Sequence, residues 1–74
     1  MASPPEHWLA QHFSLANPKG RRQGDLARLL RSVAEEVEAI GDAHVYDLVL
    51  HSETTSRGPW YSVTVYYARP DEPE

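Results

Sequence analysis

The sequence contains no cysteine, which excludes a disulfide framework and a thiolate metal site. It has no apolar run near the roughly 20 residues that a bilayer-crossing helix needs. It also has no basic segment followed by an apolar stretch near residue 1. Together these absences point to a soluble protein of the cytoplasm with no membrane partner. Nucleophile elbows, phosphate-binding glycine loops, His-Glu-x-x-His and dinucleotide fingerprints are missing too, so no cofactor is expected and no catalytic residue is assigned.

Positive charge is also scarce. The net charge is -4, and it is unevenly spread. Residues 1 to 24 carry Lys19, Arg21 and Arg22 against Glu6, whereas residues 25 to 74 carry four arginines against ten acids. An acidic body disfavours nucleic acid, because phosphate neutralisation supplies most of such affinity. At 74 residues the chain is one domain, and a domain of that size buries only about 60–65% of its unfolded surface. Without disulfides or metal, the usual remaining support is oligomerisation.

What is present is organised around residues 44 to 68. Val, Leu, Tyr and Trp alternate with polar residues at period two, which reads as two strands. A four-residue loop Thr55-Ser56-Arg57-Gly58, with Gly58 at positive φ, sets the pairing. Thr54 then faces Pro59, His51 faces Ser62, Val49 faces Thr64 and Asp47 faces Tyr66. One face holds Tyr46, Leu48, Leu50, Tyr61, Val63, Val65 and Tyr67 and is expected to be the core. The other holds Asp47, Val49, His51, Glu53, Trp60, Ser62, Thr64 and Tyr66.

Upstream, Leu26, Leu29, Leu30, Val33, Val37 and Ile40 recur at helical spacing, with Asp25 as cap and Gly41 as the C-terminal stop. Glu35, Glu36 and Glu38 crowd the end of that helix, where the macrodipole disfavours acids, and a basic partner would relieve the cost. Ser3-Pro4-Pro5-Glu6 has capping-box spacing, and Trp8, Leu9, His12 and Phe13 share one side of a helix from about Pro4 to Phe13. Residues 21 to 24 read as a flexible connector.

The expected architecture is therefore α+β in the order α-α-β-β, a short N-terminal helix and one amphipathic helix packed on an antiparallel hairpin, completed by oligomerisation. Its divisions are an arm over 1–24, a core over 25–69 and a disordered acidic tail over 70–74.

Two functional classes follow from this layout. The first is a homo-oligomeric protein-interaction module, a binding protein rather than an enzyme. Its partner-binding residues are Trp60, Tyr66, Val49 and His51 on the second sheet face, with Glu35 and Glu38 on the helix. Large rigid aromatics on a polar surface mark contact sites, unless Trp8 and Phe13 fold back over Trp60. The alternative is a small oligomeric enzyme or ligand carrier with a pocket between subunits, its polar contacts supplied by His51, Asp47, Ser62 and Tyr66. Against catalysis, Asp47 lies about 13 Å from His51 by strand rise, too far to orient it. No metal is expected, since His44 and His51 fall on opposite faces and His7 and His12 lie on different sides of a helix.

Overall fold

A computed structural model describes residues 8–70, with the side chains of Trp8 and Pro70 left aside. Its elements run β1 (Trp8–Ala16), α1 (Leu26–Ile40), β2 (His44–Thr55) and β3 (Gly58–Pro70). The three strands form one antiparallel sheet in the order β1-β3-β2. The architecture is thus α+β with the helix between the first two strands, and the expected α-α-β-β order is overturned. In place of a helix ending at Phe13, Trp8–Ala16 pairs with β3 from Trp8↔Pro70 to Ala16↔Ser62. The capping-box residues Ser3 to Glu6 lie outside the described residues.

The reason is a competition between local and distant partners. Leu9, Gln11, Phe13 and Leu15 face Arg69, Tyr67, Val65 and Val63, so β1 fills the free edge of β3 and lays Phe13 and Leu15 against the core. A lone helix of that length is marginal in water, and burial against a sheet outweighs its propensity.

α1 forms where the apolar periodicity places it. Asp25 Oδ1 accepts from the Arg28 N–H at 3.0 Å, and Gly41, at φ 81°, donates its N–H to the Glu38 carbonyl at 3.2 Å. The hairpin register also matches the pattern, with Thr54↔Pro59, His51↔Ser62, Val49↔Thr64 and Asp47↔Tyr66. The loop is tighter than expected, because Thr55 faces Gly58 and only Ser56 and Arg57 lie between them. A bulge between Val45 and Asp47 places Val45, rather than Tyr46, opposite Tyr67. Tyr46 instead stacks on His44, with ring centroids 6.4 Å apart.

The core consists of Leu29 and Val33 from α1 against Val63, Val65 and Tyr67 of β3, flanked by Phe13 and Leu15 of β1. α1 lies over β1 and β3 and not over β2. A helix about 10 Å across spans two strands spaced about 4.8 Å apart, and a third is left bare. Leu48 and Leu50, expected in the core, are consequently 48% and 47% exposed, and Val45 is 39% exposed.

Residues 17–25, part of which was expected to be a flexible connector, are fastened to the turn end of the sheet. Asn17 donates through Nδ2 to the Asp25 carbonyl at 2.9 Å, and its backbone N–H bonds the Tyr61 carbonyl at 3.2 Å. Gln23 is buried. Its Nε2 donates to Thr55 Oγ1 at 2.7 Å and the Gly58 carbonyl at 3.2 Å, while Oε1 accepts from the Gly20 N–H at 3.1 Å. Gln23→Ala removes the partner of the Gly20 N–H and the donor to Thr55 Oγ1, while Thr55 Oγ1 still donates to the Gly58 carbonyl at 2.6 Å, so it is expected to cost about 1–2 kcal/mol in urea denaturation. A loss under about 0.5 kcal/mol would mean that water replaces the amide.

Candidate functional site

Two surfaces carry the residues singled out in the sequence. The first is the sheet face away from α1. β3 sets Trp60, Ser62, Thr64 and Tyr66 along its middle, β2 adds Glu53, His51, Val49 and Asp47 opposite them, and β1 adds Ala16, Ser14 and His12 on the other side. All the sheet residues expected to bind a partner or ligand therefore share one face. The face is stitched rather than open throughout. Ser14 Oγ and Thr64 Oγ1 share a hydrogen bond at 2.8 Å, and the His12 ring lies 5.8 Å from that of Tyr66.

Trp60 is covered from within the chain, but not by Phe13. Phe13 faces Val65 on the helix side, with its ring 6.0 Å from Tyr67. The loop after β1 does the covering. Trp60 Nε1 donates to the Asn17 carbonyl at 2.6 Å, and Lys19 Nζ sits 4.6 Å from the indole centroid. That geometry is a cation–π contact, worth about 0.5–1 kcal/mol at a partly exposed site. The polar tip of the indole is thus already used, and its ring is partly shielded.

Ala16, His51, Ser52, Glu53, Trp60 and Ser62 line an open depression of about 550 Å³ on this face. It brings His51 and Ser62 together and leaves Asp47 and Tyr66 further along the strands. Among the described residues, no group of three or more His, Asp or Glu could hold a metal ion, and no helix is long and apolar enough to cross a membrane.

The second surface is the helix side of β2. Val45, Leu48 and Leu50 stand opposite Tyr67, Val65 and Val63, so they extend the core floor sideways beyond α1. Among the described residues no strand pairs with the outer edge of β2. A local contact lies along it: the Leu48 N–H donates to Asp47 Oδ1 at 3.0 Å. Glu35 and Glu38 lie on exposed positions of α1, on the opposite side of the sheet from Trp60. The two groups expected to meet a partner are therefore separate surfaces.

Charge is sorted along the strands. Because Gln23 ties the loop after β1 to the hairpin turn, Arg57 joins Lys19, Arg21 and Arg22 at one end of the molecule. Asp25, 3.9 Å from Arg22, and Glu53, opposite Trp60, are acids at the same end. The far end carries Glu35, Glu36, Glu38 and Asp42 around the close of α1, whose last turn holds no base, with Arg69 on β3 nearby.

The bare row was not signalled in the sequence, because one apolar helix stripe can cover the two strands expected there and the third strand, β1, was read as helix. Asn17 and Gln23 carried no signal either, because polar residues in a loop show no periodicity. Compared with protein-family models, with curated proteins and with solved structures, the chain matches none.

Proposed function

We propose that the protein is a small interaction module whose working form is an assembly of copies of itself joined through β2. The observation that carries this reading is the row Val45, Leu48 and Leu50. These residues continue the core floor, yet they stand 39%, 48% and 47% exposed beside an edge that no described strand occupies. Contiguous apolar surface of this kind marks contact sites, and an unpaired edge strand is a template for another strand. The Trp60 face supports the reading less directly, since its indole N–H is bonded to Asn17.

Light scattering on the purified protein is expected to give a mass at least twice 8.4 kDa at tens of micromolar chain. A mass of 8.4 kDa across that range overturns the reading.

A further inference from the structure

We infer that two copies pair antiparallel along β2, with Val49 on the two-fold axis, so that the two sheets join into one of six strands. The inference rests on the self-assembly reading above and adds its partner, register and symmetry. A strand that pairs with its own copy around a two-fold axis must place each residue opposite one of the same facing, so the central residue faces itself. Three alignments centred on the apolar row satisfy this, about Leu48, Val49 or Leu50.

The Val49 alignment sets leucine against leucine on the helix side and carboxylate against imidazole on the other, while Val45, beyond the bulge, falls beside the polar Ser52–Glu53 stretch. Leu48 meets the second copy's Leu50, and Leu50 meets its Leu48, on the helix side. Asp47 meets the second copy's His51 on the other side, carboxylate against imidazole. Centring on Leu50 sets Leu48 against Ser52, and centring on Leu48 sets Asp47 against Val49. Backbone direction suits pairing along this edge in all three alignments, and the side-chain matches choose among them. The Leu48 N–H is taken up by Asp47 Oδ1 at 3.0 Å and so points away from β3. In the assembly it exchanges that bond for the second copy's Leu50 carbonyl, and Asp47 is released toward His51.

Charge complementarity selects a second copy as the occupant of this edge. Antiparallel pairing carries the basic turn end of each chain to the acidic helix end of the other. Arg57 comes alongside the second copy's Gly41–Asp42 turn, within a residue because of the bulge between Val45 and Asp47. There it faces Asp42 and Glu38, at a helix end with no base of its own in the last turn. α1 does not obstruct the approach, since it lies over β1 and β3.

The absence of cysteine from the chain makes the test direct. At a non-hydrogen-bonded pair the Cα atoms lie about 4.5 Å apart, within disulfide range. Under mild oxidation Val49→Cys is expected to form a covalent dimer, while Ser14→Cys, on the outer strand β1, does not. Exposed residues supply a second arm that does not risk the fold. Arg57→Glu is expected to weaken the dimer about tenfold at low salt, and Arg57→Glu combined with Asp42→Arg to restore it. A wild-type dimer in which Val49→Cys stays unlinked, or in which Ser14→Cys links, overturns the register and leaves self-assembly standing. Failure of the charge exchange to restore affinity overturns the end-to-end arrangement. A monomeric wild type removes both the register and the reading beneath it.

Discussion

Leu29→Ala is expected to lower the free energy of unfolding by about 3 kcal/mol, the usual cost of a cavity left by a buried leucine. Leu29 is 2% exposed and meets Val63, Val65 and Tyr67, the part of β3 on which both outer strands depend. For a chain of 74 residues, total stability is on the order of 4–11 kcal/mol. The loss is therefore a quarter or more of the whole. Leu30, the next residue and 45% exposed, serves as the control. Its replacement by alanine is expected to change stability by less than about 0.5 kcal/mol. Urea denaturation of the two variants separates them, and equal losses would mean that α1 is rotated from the orientation described.

The second large effect concerns assembly. Leu48→Lys combined with Leu50→Lys is expected to reduce the mass in solution to 8.4 kDa while the circular dichroism of the folded chain is kept. In a single chain both positions are about half exposed, at 48% and 47%, so two ammonium groups there remain hydrated. In the paired form four of them would meet across one short stretch of strand. Crowding and desolvating like charges in this way costs several kcal/mol, enough to weaken association by at least about a hundredfold. A variant that keeps the wild-type mass would remove the apolar row from the contact.

The parts of this fold that were legible in the sequence are those decided by near neighbours. Asp25 caps α1, Leu29 and Val33 lie at the centre of its stripe, and Gly41 ends it, all within one helix length. The β2 and β3 register is equally local, because Gly58 and Pro59 restrict where the chain can turn. β1 was not legible in the same way. Trp8, Leu9, His12 and Phe13 suit one side of a helix, while Leu9, Gln11, Phe13 and Leu15 suit one side of a strand, and nothing nearby decides between them. The vacant flank of β3 decides it.

The candidate site divides along the same line. The sharing of one face by Asp47, Val49, His51, Trp60, Ser62 and Tyr66 followed from period two alone. The half-shielding of Trp60 by Asn17 and Lys19 did not, since it depends on a loop whose course is set by Gln23 and Thr55. The exposure of Leu48 and Leu50 turned on how many strands one helix must roof, and that number changed when β1 joined the sheet.

β3 lies in the middle of the sheet yet comes last of its three strands. Its contacts with β1 join residues far apart along the chain, from Ala16 with Ser62 to Trp8 with Pro70. Pairing β1 with β3 closes a far longer stretch of chain than the hairpin turn does, and longer closures cost more entropy and form more slowly. Until β1 pairs, Phe13 and Leu15 lack the core against which they pack. Substitutions in β1 are accordingly expected to slow refolding less than substitutions in the hairpin, as measured by stopped-flow refolding of matched variants.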